Sequence, residues 1–165
     1  MDTTPTTPVL LGTRESQPLL SVRKTVAVQD LQATQLASLT LLWQFLQSHE
    51  LEPTGAPIVR YHTFDPEHTD VEVGIPIPTA VPVSSPILAT SLPGGPAAVI
   101  EHLGSHESLG DSYGQMNAWI QDNGRTRAGA GWEVYEWIDP SQQPDPAAWP
   151  QPAEWRTQLV QPLAP

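Results

Sequence analysis

Ile58–Pro66 reads IVRYHTFDP and Trp132–Pro140 reads WEVYEWIDP, and these two stretches decide the predicted fold. A constant offset between them places Tyr61 on Tyr135, and both stretches end in Asp-Pro. Without a gap, the same offset aligns further positions upstream, namely Leu42, Phe45, Leu46 and Gln47 with Met116, Trp119, Ile120 and Gln121. Matches that recur in the same order indicate an internal repeat.

Both copies of the repeat show the same order of predicted elements. Helical spacing of apolar residues predicts helices over 34–48 and 108–123. Alternating patterns predict strands near residues 21–28, 57–64, 69–77, 97–103, 131–138 and 155–163, with a short linking strand over 88–92. A flanking match places Val26–Leu31 over Ala98–Leu103. We therefore predict an α+β fold in which a duplicated strand–helix–strand–strand unit, residues 18–78 and 93–163, forms an antiparallel sheet with two helices, pseudo-twofold symmetry and a central groove.

The composition of residues 1–17 predicts a disordered tail, followed by a single domain over residues 18–165. The N-terminus lacks the basic and apolar regions of a signal peptide. No apolar run approaches the roughly 20 residues of a membrane span. We therefore expect a cytoplasmic protein that does not contact the membrane.

Charge and composition exclude several classes of function. The formal net charge is −11, and such a field repels phosphate backbones, so we expect no direct binding of nucleic acid. The chain has no cysteine, so disulfides and thiolate chemistry are excluded. Acidity also serves solubility, and that alone explains much of the charge.

A carboxylate and several aromatic rings are predicted to meet in the groove. Strand alternation places Glu133, Tyr135 and Trp137 on one face, and Val59 and Tyr61 on the equivalent face of the first copy. A carboxylate beside aromatic rings in a low-dielectric groove suits a delocalised cation. The alternative is a solvent-facing glutamate beside tyrosines of an ordinary core. The full set of predicted ligand-binding residues is Val59, Tyr61, Tyr113, Trp119, Glu133, Tyr135 and Trp137.

Other constellations are weaker. Glu101-His102 and His106-Glu107 offer metal-ligand types, but we place them across a strand-to-helix loop, so no metal site is expected. No haem motif is present, and no cofactor is expected. Trp149 and Trp155 flank a proline-rich loop, where they either cover the groove or anchor the loop to the domain.

Five segments together resemble the GyrI-like effector-binding domain, the ligand domain of many bacterial multidrug-responsive transcription regulators. They are Val59-Arg60-Tyr61-His62, Asp70–Pro76, Leu92–Gly95, Glu133-Val134-Tyr135 and Gln161-Pro162-Leu163. The resemblance implies the duplicated fold, and polyspecific binding of bulky hydrophobic aromatic, often cationic, small molecules. It places the family's buried glutamate at Glu133, and Glu136 replaces it only if the strand is shifted by one position. No helix-turn-helix precedes Pro18, so we expect a stand-alone copy.

Two other functions stay open at this stage. Some GyrI-like proteins hydrolyse reactive cyclopropane-containing compounds, and the resemblance then implies Glu133 as general base with Tyr135 polarising the leaving oxygen. Whether the chain is an enzyme is therefore undecided. The family name also implies a protein partner, gyrase, to which an acidic chain could bind by mimicking DNA. The sequence identifies neither the physiological ligand nor a protein partner.

Overall fold

The computed structural model describes residues 7–165, in which eight strands form one antiparallel sheet in the order β1-β6-β8-β7-β3-β4-β2-β5. The strands are β1 Leu10–Arg14, β2 Gln17–Val26, β3 Ile58–Thr63, β4 Thr69–Pro76, β5 Leu88–Leu92, β6 Gly95–Leu103, β7 Trp132–Tyr135 and β8 Arg156–Pro162. The helices are α1 Leu31–Ser48 and α2 Leu109–Asp122. The predicted α+β class with two helices on an antiparallel sheet is confirmed.

The pairing of β3 with β7 displays the pseudo-twofold symmetry. Ile58 pairs with Val134 and Arg60 with Trp132, and the offset that places Tyr61 on Tyr135 exchanges these two pairs. Val59 pairs with Glu133, its own equivalent in the second copy, so the axis passes through this pair. The whole sheet order is likewise unchanged when the two copies are exchanged.

Short crossovers force the sheet to curl. Glu15-Ser16 joins β1 to β2, and Pro93-Gly94 joins β5 to β6, although each pair of strands lies at opposite ends of the sheet order. The strand residues on either side of a two-residue link are three Cα steps apart and can span only about 10 Å, so the two ends of the sheet must approach each other. At Gly94 a side chain is excluded, because a Cβ would lie 2.9 Å from the backbone nitrogen of Ser16.

The predicted disordered tail is wrong for residues 10–14, which form β1. This strand pairs with β6 from Leu10 opposite Val99 to Arg14 opposite Gly95. It is the symmetry counterpart of β5, so each copy contributes one strand to the other copy's half of the sheet. Backbone pairing holds β1 although Leu10 and Leu11 are exposed, which is why its composition did not predict it. Residues 1–6 of the predicted tail lie outside the described residues.

One flanking match of the repeat is also wrong. Val28–Asp30 forms a single 3-10 turn, whereas Ala98–Leu103 belongs to β6. The ladders instead align β2 with β6 through their partners, because Leu19 pairs with Pro76 and Ala97 with Pro162. Because Pro76 and Pro162 are equivalent in the repeat, their strand partners Leu19 and Ala97 are equivalent too.

Both helices pack on the same face of the sheet. Leu39, Leu42 and Leu46 of α1 are buried against one half, and Met116 and Ile120 of α2 against the other. Fully burying such side chains contributes about 1.5–3 kcal/mol each. The opposite face carries a separate apolar cluster of Leu19, Ile58, Leu92, Ala97, Trp132 and Val160. No helix in the described part of the chain is long and apolar enough to cross a membrane.

Candidate functional site

A cleft of about 1470 Å³ lies between α1 and α2, over the central strands β3 and β7. Ligand pockets usually measure about 300–1,000 Å³, so this one has room for a bulky molecule. Its floor is Val59, Tyr61, Glu133 and Tyr135, and its helical walls include Leu36, Leu39, Tyr113 and Met116. The cleft contains the pseudo-twofold axis, because the Val59–Glu133 pair forms part of its floor.

Glu133 is the acidic centre of the cleft. Its side chain is only 4% exposed, and no other Asp, Glu, Lys or Arg lines the described cleft. The hydroxyl of Tyr113 donates a hydrogen bond to Oε2 at 2.5 Å, and that of Tyr135 donates to Oε1 at 2.9 Å. Burial raises the pKa of Glu133, and these two hydrogen bonds offset only part of the rise. Burial therefore makes the ionised form of Glu133 energetically unfavourable in the absence of a cation.

Three neutral tyrosines lie around this carboxylate, and two of them, Tyr113 and Tyr135, donate hydrogen bonds to it. Burial, followed by the nearby charge of Glu133, raises the pKa of Tyr61, Tyr113 and Tyr135. The Tyr61 hydroxyl also accepts a hydrogen bond from Gln35 Nε2 at 3.3 Å. All three phenols keep their protons at neutral pH, and all three line the cleft.

His106 also lines the cleft, although the sequence singled it out only as a type of residue that can bind metal. Its Nε2 lies 2.8 Å from Thr157 Oγ1, and its ring packs 5.2 Å from that of Tyr135. Burial lowers the pKa of His106 to about 4, so the imidazole is uncharged at neutral pH. His102 instead bonds Ser112 and Ser105. The described residues contain no group of three or more His, Cys, Asp or Glu side chains arranged to hold a metal ion.

Aromatic rings close one end of the cleft. The Trp137 ring stacks on Tyr135 at 5.3 Å and on Trp155 at 3.9 Å, and the two indoles are inclined by only 3°. Trp149 stands nearly perpendicular to Trp137, at 76° and 5.3 Å. Trp149 and Trp155 come from the proline-rich link between β7 and β8, and both line the cleft.

The structure brings six of the seven predicted site residues together in the cleft. They are Val59, Tyr61, Tyr113, Glu133, Tyr135 and Trp137. Trp119 lies elsewhere and packs against the apolar cluster under α2, because it is turned about 120° around the helix from Tyr113. Glu136 does not replace Glu133 in the cleft, and it lies beside Glu101, where burial raises its pKa to about 7. That these residues bind a ligand stays a prediction.

Comparison with known proteins agrees with this architecture. Residues 11–149 match the sequence model of the GyrI-like small molecule binding domain. The chain therefore belongs to this family of small-molecule-binding domains. No curated protein sequence matches the chain.

Solved structures share the fold at low sequence identity. The crystal structure of the EcmrR C-terminal domain has a TM-score of 0.77 at 20% identity, covering 94% of this chain and 96% of that one. A hydrolase encoded by lin2189 from Listeria innocua has a TM-score of 0.65 at 12% identity, covering 97% and 93%. SAV2435 bound to tetraphenylphosphonium has a TM-score of 0.56 at 12% identity, covering 96% and 94%.

Proposed function

We propose that this protein binds bulky, hydrophobic aromatic molecules, preferentially cations, with Glu133 as the anionic contact. The observation that carries the proposal is a single buried carboxylate, without a basic partner in the described cleft, surrounded by aromatic side chains. A lipophilic cation neutralises Glu133 without needing its own hydration, which a metal ion or an ammonium group would lose at high cost.

Two physical effects favour such a ligand. Each square ångström of apolar surface removed from water contributes about 25 cal/mol, and the cleft is lined largely by apolar side chains. The low dielectric of a buried site strengthens the attraction between Glu133 and a cation, and the tyrosine rings add cation–π contacts. The structural neighbour SAV2435 bound to tetraphenylphosphonium supports the same class of ligand.

Broad ligand tolerance follows from the scarcity of directional groups. Apart from Glu133 and the tyrosine hydroxyls, the polar side chains lining the described cleft are His106 and a few glutamines, Gln32, Gln35, Gln151 and Gln161. A wide cleft with few fixed donors constrains the charge and size of a ligand more than its detailed shape. We therefore propose a polyspecific multidrug-binding role.

The charge preference is tested with two propeller-shaped probes, the cation tetraphenylphosphonium and the neutral triphenylphosphine oxide. Glu133→Gln keeps the shape and removes the charge, so we expect it to weaken binding of the cation by roughly 1–3 kcal/mol. The neutral probe should change little. Isothermal titration at pH 8 and pH 5 should also show weaker cation binding by the wild type at the lower pH, because protonation removes the charge of Glu133.

The matched control is Glu136→Gln, which removes a glutamate outside the cleft and should leave both affinities unchanged. Equal losses for the two probes in Glu133→Gln would give Glu133 a structural role only. Unchanged affinity for the cation would place the binding site elsewhere.

A hydrolase is the second candidate, supported by the raised pKa of Glu133 and by its two phenolic partners. In this reaction Glu133 takes a proton from water while the water oxygen attacks an electrophilic cyclopropane carbon. A C–C bond of the ring breaks, and its electron pair passes to the oxygen of a conjugated carbonyl group. Tyr135 turns from Glu133 to donate a hydrogen bond to this oxygen, and return of the proton from Glu133 completes the addition of water. The neighbour described as a hydrolase supports this candidate. Mass spectrometry with a reactive cyclopropane compound should show repeated formation of a ring-opened product containing one added water, and Glu133→Gln should abolish it. Stoichiometric binding without turnover would leave the binding function alone.

A further inference from the structure

The two copies differ most in the link that follows their central strand. In the first copy residues 64–68 join β3 to β4, whereas in the second copy the much longer segment 136–155 joins β7 to β8. From the short link, only Phe64 lines the described cleft. The long link places Trp137, Trp149 and Trp155 there, which we call the tryptophan corner.

Hydrogen bonds and prolines fix the long link. Trp155 Nε1 donates to the carbonyl of Pro150 at 3.0 Å, and Trp43 Nε1 of α1 donates to the carbonyl of Ser141 at 3.3 Å. Pro146 and Pro152 each begin a single 3-10 turn within it. Proline reduces the freedom of the backbone, so the indole rings are held in place before a ligand arrives.

The corner offers two aromatic planes at nearly right angles. Trp155 lies parallel to Trp137, while Trp149 is inclined to Trp137 by 76°. His106 packs beside Trp155 and is uncharged at neutral pH. Trp137 already stacks on Tyr135 and on Trp155, so a flat ligand ring would stack on the indole of Trp149 or Trp155 while a perpendicular indole contacts its edge. Both arrangements are favourable for aromatic pairs.

We propose that the tryptophan corner is a separate subsite that selects flat, fused-ring aromatic molecules whatever their charge, while Glu133 selects cations. This inference rests on the proposed binding function. A propeller-shaped molecule cannot lay several rings in one plane, so it gains little from the corner. The ligands that gain from both subsites are flat aromatic cations.

Three probes separate shape from charge. N-methylacridinium is flat and cationic, N-methylacridone is flat and neutral, and tetraphenylphosphonium is cationic but propeller-shaped. We expect Trp149→Leu to weaken both acridine probes about tenfold, the size of a lost aromatic contact, and to change tetraphenylphosphonium less than twofold. Glu133→Gln should weaken the two cations and spare the acridone. Fluorescence titration measures all three affinities.

Two further variants make the result specific. Trp119→Leu removes an indole that lies outside the cleft and should leave all three affinities unchanged. Trp149→Phe keeps an aromatic ring and should recover part of the acridine affinity, provided that thermal melting shows each variant to be folded. Equal losses for all three probes in Trp149→Leu, or losses no greater than in Trp119→Leu, would overturn the subsite. Failure of the wild type to bind any of the three probes would instead overturn the proposed function.

Discussion

The two copies share a backbone plan but present different side chains to the cleft. At the offset that relates β3 to β7, Tyr61 and Tyr135 are the same, whereas Val59 becomes Glu133 and Leu39 becomes Tyr113. At these two equivalent positions the first copy therefore contributes aliphatic side chains, whereas the second contributes a carboxylate and a phenol. Two carboxylates facing each other across the axis would repel, and one would have to take up a proton. The two equivalent copies together form the cleft, and the difference between Val59 and Glu133 gives the described cleft one carboxylate.

The two copies can also be compared at the ends of the sheet, where β1 and β5 are equivalent strands. Each leaves its own copy and pairs with the other, and each runs into the next strand through a two-residue crossover. Such an exchange ties the two halves into one folding unit. The stability of the second copy's half of the sheet should therefore depend on β1, the N-terminal strand of the first copy.

The largest expected effect is from removing β1. Deletion of residues 1–14 leaves the backbone groups of β6 unpaired along Gly95–Val99, and we expect a loss of at least about 3 kcal/mol in the free energy of unfolding. Urea denaturation followed by circular dichroism measures it. The control replaces the exposed Leu10 and Leu11 by threonine, which keeps the strand backbone and should cost little. Unchanged stability after the deletion would mean that the copies fold without the exchange.

The outcome for β1 shows where the sequence was informative. The stretch from Leu42 to Pro66 matches its counterpart without a gap, so helix, strand and Tyr61 could be aligned at one offset. Near β1 the correspondence shifts to a slightly larger offset, at which Leu10 matches Leu88 and Pro18 matches Pro96. Those matches are too few to stand out, and exposed leucines give no alternating pattern.

The cleft was predictable where it is made of strands, and less so where it is made of loops. Alternation along β7 fixed Glu133 and Tyr135 on one face, because side chains of a strand point to opposite sides in turn. His106 and Trp149 reach the cleft through irregular backbone. Their positions depend on tertiary contacts such as the His106–Thr157 hydrogen bond, which joins residues far apart in the chain.

The equivalent tyrosines give a direct test of the divergence between the copies. Tyr135 donates to buried Glu133 at 2.9 Å, whereas the Tyr61 hydroxyl accepts a 3.3 Å bond from Gln35. Tyr135→Phe leaves the carboxyl group short of a donor, so we expect a loss of about 1–3 kcal/mol in stability. Tyr61→Phe should cost about 0.5 kcal/mol, the low end for a neutral bond. Chemical denaturation at pH 8 measures the free energy of unfolding of both variants. Equal losses would mean that the two hydroxyl groups contribute equally to stability and that the copies have not diverged at this position.

The smallest expected effect concerns the stability cost of Glu133 itself. Burial raises the pKa of this carboxyl group above its value in the unfolded chain. Below the unfolded pKa, about 4.3, both states are protonated and no cost arises. As pH rises through the folded pKa, the unfolded state ionises more readily, and the folded state loses stability. Each unit of upward shift corresponds to about 1.4 kcal/mol.

Glu133→Gln keeps the shape of the side chain and cannot ionise, so it escapes this cost. We expect the variant to be about as stable as the wild type at pH 4 and more stable than the wild type at pH 8, with a difference that grows as the pH rises. Thermal melting across this range measures the difference, and the exposed Glu67→Gln controls for the change in net charge. A variant less stable than the wild type at pH 8 would mean that the tyrosine hydrogen bonds outweigh burial. A more stable variant with weaker cation binding would identify Glu133 as a residue retained for binding at the expense of stability.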